Sequence, residues 1–198
     1  MPSQEQKTAK RYFEPKTGCP GFIIEMITGV KDEAYDQIVM SKLNGLNLRQ
    51  KAIARIGLDE DQLKEIPPVY FHGYGFKGAR SRYGADGRAR TSKYEVAYLF
   101  FSSSQVYMYS YTFDLINDSK QEKAEEYFYK DVTNFTTYSE TEVITTAGCT
   151  GKETTKNYDT NLFSLSAGGE KFICSISGVA DADKSINAMK QKLREKKG

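Results

Sequence analysis

Between Val69 and Ser177 apolar and polar positions alternate with a period near two, and from Ala182 to Leu193 the period lengthens to that of a helix. Seven strand-like segments follow one another in the first stretch: Val69–Phe76, Tyr94–Ser102, Gln105–Phe113, Tyr127–Tyr138, Glu142–Cys149, Asn161–Ser166 and Lys171–Ser177. Tyr107, Tyr109, Tyr111 and Phe113 share one face of their strand and Val106 and Met108 the other, which predicts a strand covered on both sides. Ser102-Ser103-Ser104 is short enough to join two of the strands as a hairpin. Asp114–Glu126 reads as a polar, acidic turn region. At the end of the chain Ala182, Ile186, Met189 and Leu193 fall on one face of a helix from about Asp181, with acids at its start and lysines at its end. The pattern predicts a mainly β fold with α: a seven-stranded antiparallel barrel or sandwich, capped by a C-terminal helix.

Ahead of Pro67-Pro68 the pattern is different. Residues 1–17 are polar and aperiodic and predict a flexible arm. The segment Phe22–Ile27 is short and apolar and reads equally as a helical turn or a docking strand. Ala34, Ile38 and Leu43 recur at helical spacing, with Asp32 as the expected N-cap and Asn44-Gly45 as the stop. Leu48, Ala52, Ile53 and Ile56 form a second stripe ending at Gly57, and a third short helix is expected from Asp59 to the prolines. The division predicted is an arm (1–17), a helical N-terminal extension (18–66) and a β domain with its terminal helix (67–198).

Composition narrows the functional classes. The chain has 14 Tyr and 11 Phe but no Trp, so aromatic rings carry the core. Its 28 Lys and Arg against 26 Asp and Glu give a net charge of +2, too little for a global field that gathers nucleic acid or anionic lipid. The first residues contain no apolar leader and no segment long enough to span a membrane, which predicts a cytoplasmic protein. Cys19, Cys149 and Cys174 are odd in number and far apart, a pattern expected of free thiols rather than of a disulfide framework or a zinc site. No metal or cofactor motif is expected.

Local charge is another matter. Lys77, Arg80, Arg82, Arg88, Arg90 and Lys93 stand against Asp86 alone in the seventeen residues 77–93, a net of +5. Arg offers a planar fork that matches carboxylate and phosphate oxygens, and Gly78, Gly84 and Gly87 let such a loop curl around an anion. The same loop also reads as a solvated segment whose arginines pair with the acids of Asp114–Glu126. His72, the only histidine, alternates with small residues on a strand and has no nucleophile motif beside it, so a structural role is favoured over general acid–base catalysis. Gly73, Gly75 and Gly78 lack the strand–turn–helix frame of a dinucleotide fingerprint. Glu125, Glu126 and Asp131 read as solvated acids.

The layout of Val69–Lys197 resembles the pleckstrin-homology-like superfold, in its bacterial branch, most closely through Val96–Phe101, Tyr127–Val132 and the helix Asp181–Lys197. In phosphoinositide-binding members a Lys ending the first strand and a basic-x-Arg pair entering the second grip phosphates, and Lys77 and Arg88-Ala89-Arg90 occupy comparable places. Thr91 and Ser92 depart from the apolar pair expected next, and the Trp common in the terminal helix of those members is missing. The resemblance implies a non-enzymatic interaction or adaptor domain that binds a protein partner or an acidic ligand through the six basic residues of its first loop. An adaptor for anionic lipid or nucleic acid using the same arginines is the first alternative, and an enzyme centred on His72 the second.

Overall fold

The computed structural model describes residues 2–14, 29–58, 67–147, 153–179 and 182–197. The chain is mainly β with a few helices, arranged as open antiparallel sheets. Three helices come first: α1 Gln4–Phe13, α2 Asp32–Gly45 and α3 Leu48–Ile56. Then follow β1 Val69–Gly75, β2 Ser81–Tyr83, β3 Ala89–Thr91, β4 Lys93–Phe101, β5 Gln105–Asp114 and β6 Lys120–Phe128. A 3₁₀ turn at Tyr129–Asp131 leads to β7 Val132–Ala147, β8 Glu153–Ala167 and β9 Glu170–Ser175, and α4 Ala182–Lys197 ends the chain.

One sheet has the order β1-β4-β5-β6 and another β7-β8-β9, while β2 and β3 form a separate two-stranded ribbon. The four-stranded sheet is a central layer because its strands alternate between two apolar faces. Tyr94, Val96 and Phe100 of β4 and Tyr109, Tyr111 and Phe113 of β5 meet Tyr12, Tyr35, Val39, Leu43 and Leu48 of the helices. Ala97, Leu99, Phe101, Val106 and Met108 point the other way, onto Phe163, Leu165 and Phe172 of the three-stranded sheet. Ile186 and Leu193 of α4 are buried in this second cluster.

Several expectations change. The N-terminal residues form a helix where an arm was expected: Ser3 and Gln6 exchange a capping box (3.1 and 2.7 Å), and Ala9 and Tyr12 are fully buried. Ala9, Tyr12 and Phe13 stand at helical spacing behind Ser3 and Gln6, a signal confined to one turn of an otherwise polar decapeptide. The N-cap of α2 is Lys31, and Asp32 turns its carboxylate to tertiary partners instead. The chain passes helically through Gly45; the left-handed residue is Asn47, φ 49°, which enters α3, and Gly57, φ 74°, closes that helix as anticipated.

The described residues hold nine strands rather than seven, because the connection 77–92 folds its middle into the ribbon β2-β3. Most of the acidic segment Asp114–Glu126 is strand: Asp114 closes a short turn by accepting the N–H of Ile116 (2.8 Å) and Asn117 (3.1 Å), and β6 begins at Lys120. Tyr127–Tyr138 is not continuous, since at Tyr129–Asp131 the chain leaves one sheet for the other, held by Tyr129 Oη donating to the Ser102 carbonyl (2.8 Å). β7 then runs unbroken through the break expected near Thr141. The serine hairpin is present, with Ser102 N–H donating to the Gln105 carbonyl at 3.0 Å. Phe22–Ile27, the helix from Asp59, Cys19 and Cys149 lie outside the described residues. Cys174 is a buried free thiol whose pKa burial pushes well up.

Candidate functional site

The connection between β1 and β4 turns at Gly84–Arg88, where Gly84 N–H bonds the Arg88 carbonyl (2.8 Å), Gly87 adopts φ 77°, and Asp86 accepts the Arg88 N–H (3.0 Å). A side chain at Gly84 would collide with Arg90 and with the carboxylates of Asp32 and Asp86, so the backbone there must be bare. The turn thereby brings Asp86 under Arg90, four residues on across the ribbon.

Arg90 is 2% exposed and is gripped from both sides. Its Nε and Nη2 donate to Asp36 of α2 at 2.8 and 2.7 Å, while Nη1 and Nη2 donate to Asp86 at 2.9 and 2.8 Å. The Arg90 hydrogen bonds hold the Asp86 carboxyl well below its usual range, and Asp86 and Asp36 together raise the guanidinium. Tyr74 Oη also donates to Asp36 (2.7 Å), and burial followed by that bond pushes its phenol far up. Arg82 donates to the Tyr12 carbonyl at 2.7 Å and lays its guanidinium over the Tyr12 ring at 4.5 Å. Tyr12 in turn stacks on Tyr35 (4.3 Å between centroids) and donates to Asp32 (2.6 Å), whose other oxygen accepts the Ala85 N–H (2.7 Å). Tyr35 Oη closes the set by donating to the Thr91 carbonyl at 2.7 Å.

The six basic residues therefore divide. Arg82 and Arg90 are turned inward and fasten the ribbon to α1 and α2. Lys93 bonds the Lys77 carbonyl (3.0 Å). Lys77, Arg80 and Arg88 are exposed and make no ion pair with a described residue. The acids of Asp114–Glu126 have other partners: Asp118 pairs with Lys42 (3.3 Å), Glu125 with Lys123 (2.7 Å), and Glu122 accepts from Tyr109 (2.9 Å). Asp36 and the tyrosines of this network were not singled out from the sequence, and Asp32 was read there only as an N-cap. The available signal was the i, i+4 spacing of Asp32 and Asp36, which sets both carboxylates on one face of α2.

Beside Arg90 a cleft of about 400 Å³ opens between α2, β1, β3 and β8, lined by Met40, Tyr74, Arg88, Arg90, Tyr94 and Tyr158. Burial raises the phenol of Tyr94, so it is a neutral hydroxyl at ordinary pH. His72 Nδ1 lies 2.6 Å from Tyr94 Oη, its ring packs against Tyr70 (4.9 Å), and burial lowers its pKa, so the imidazole is held neutral. What the cleft presents is aromatic surface and neutral hydroxyls beside the Asp36–Arg90 pair, whose carboxylate is partly exposed, with the Arg88 side chain at its rim. Among the described residues no group of three or more His, Cys, Asp and Glu side chains is placed to hold a metal, and no helix is long and apolar enough to cross a membrane.

No family model, no curated protein and no solved structure matches this chain.

Proposed function

We propose that this protein is a non-enzymatic interaction domain of pleckstrin-homology-like layout that binds an acidic protein partner through the β1–β4 connection. The observation that carries the reading is the division among its cations. Arg82 and Arg90 hold the ribbon in place, and Lys77, Arg80 and Arg88 are left exposed without ion pairs to described residues. Charges without ion pairs to described residues, in segments flanking a ribbon that is itself fastened to the helices, retain their field for a ligand. The succession of a four-stranded sheet, a three-stranded sheet and a terminal helix supports the pleckstrin-homology-like part of the reading. The His72–Tyr94 pair serves in it as packing, with a neutral, half-buried imidazole between two tyrosine rings.

Fluorescence anisotropy with a labelled hexaglutamate peptide tests the proposal. Binding should disappear in Arg80→Glu/Arg88→Glu while the thermal midpoint falls by no more than about 4 °C, since two exposed substitutions at about 0.5 kcal/mol or less each total about 1 kcal/mol at most. Unchanged binding would refute it. Preferential capture of phosphatidylserine vesicles or single-stranded DNA, with a steep loss between 50 and 200 mM salt, would move the partner class to a phosphate polyanion.

A further inference from the structure

The two sheets do not close at the lower end of β9. Between its edge and the inner face of β4, β5 and β6 runs a groove of about 210 Å³, which no residue of β1 lines. Ile176 N–H donates to the Asn161 carbonyl (3.0 Å), so even-numbered residues on this side point their backbone groups at β8. Because an antiparallel strand alternates, the N–H and C=O of Lys171 and Ile173 point the other way, into the groove. The wall they face is polar although it is the inner side of a sheet. Glu95, Thr112 and Gln121 form one cross-strand row, Ala97, Ser110 and Lys123 the next. The side chains of Ser110, Thr112 and Gln121 make no hydrogen bond with a described residue.

Glu95 stands at the Ser175 end of the groove. Gly75 makes room for it, since a Cβ there would strike the carboxylate. Among the described residues it has no ion pair; burial raises its pKa, opposed by the Ser175 N–H and more weakly by Lys93. Ser110 and Thr112 are half-buried and Gln121 is exposed, so an inward carboxylate, unused hydroxyls and an open strand edge all face one accessible groove.

We propose that this groove accepts an extended peptide with a free amino terminus, added antiparallel to the open edge of β9 with its ammonium at Glu95. The backbone groups of Lys171 and Ile173 supply the ladder, the hydroxyls of Ser110 and Thr112 take the remaining polar groups, and Glu95 fixes the end and direction. Charge selects the occupant: of the two carboxylates lining the groove, Glu125 is paired with Lys123 (2.7 Å), and Glu95 has no cation among the described residues. At about 3.3 Å per residue the open edge pairs with about four residues.

A random heptapeptide library displayed with free amino termini, panned on the whole chain, supplies the probe. A selected peptide, resynthesised with a C-terminal fluorophore, should slow amide exchange at Lys171 and Ile173 and leave Phe172 and Cys174, already bonded to β8, unchanged. Acetylating its amino terminus should weaken binding at least about tenfold, the scale of one lost charge-assisted bond. Ser110→Phe, which fills the groove, should abolish binding and Ser110→Ala should not. N-methylation of the amides facing β9 tests the ladder with the protein unaltered and should abolish binding, whereas methylation of the alternate amides should not. The inference is overturned if no such peptide is selected, if exchange at Lys171 and Ile173 is unaffected, or if acetylation has no effect.

Discussion

Arg90 is the residue on which the ribbon depends. A guanidinium that is 2% exposed between two carboxylates has no water to fall back on, whereas the Asp36 and Asp86 side chains keep 38% and 35% exposure. Arg90→Met should therefore cost about 3 kcal/mol, the lower end for a broken buried pair, and Arg88→Glu less than about 0.5 kcal/mol, as read from urea midpoints. The Asp86 carboxyl is depressed in the folded state, so its contribution is complete above the unfolded value near pH 4 and is lost as acid drives it through the folded value. Asp86→Asn should flatten the fall of the thermal midpoint below about pH 4. His72 titrates in a different window. Its folded pKa is lowered by burial, so the unfolded chain takes up the proton first and stability falls as pH drops below about 6.5. In His72→Gln that decline between about pH 6.5 and 5 should vanish, and its persistence would mean the half-buried imidazole is not its source.

The elements differ in how openly they announced themselves. α4 was legible because Ile186 and Leu193 lie seven residues apart on one stripe, and both are nearly inaccessible at 2% and 3% exposure. Leu193→Ala should lower stability by about 2–5 kcal/mol, like other core truncations, and the exposed Arg194→Ala by no more than about 0.5 kcal/mol. Equal, small effects in denaturant unfolding would mean that the helix contributes no core. β5 was legible on both faces, Tyr109 and Phe113 against helices and Val106 and Met108 against a sheet. α1 and β6 were not. β6 is an edge strand dominated by charge, KQEKAEEYF, and its strand state comes from the ladder to β5, where Tyr109 opposes Ala124 and Met108 opposes Glu125. α1 is helical by its capping box and is fixed chiefly by Tyr12, through one stack, one hydrogen bond and the Arg82 guanidinium, with Ala9 buried beside it and Phe13 edge-on to Tyr35.

At the scale of the molecule the central sheet belongs to two cores at once. Along β4, Phe100 serves the helical side while Leu99 and Phe101 on either side of it serve the other sheet. Neither core can be removed without exposing a face of the strands they share. Urea unfolding followed by tyrosine near-UV and by far-UV circular dichroism should accordingly give one coincident transition. Separated midpoints would mean that the helical layer comes away on its own and that the β layers stand without it.

Local order was written in the chain itself. The period of two from Val69, the hairpin at Ser102, the stop at Gly57 and the terminal stripe depend on neighbouring residues alone, and a linear pattern records them. The concentration of cations at 77–93 was equally plain in the sequence. Which of them remain available to a partner was decided by the fold, because Asp36 lies 54 positions from Arg90, and Tyr12 lies 70 from Arg82. The same holds for the groove beside β9: residues 95, 110, 112, 121, 123 and 171–174 form one wall and one edge only after two sheets have stacked and failed to close. Sequence fixes what each segment buries. The packing of layers determines which polar groups are consumed in holding them together and which are left for a ligand.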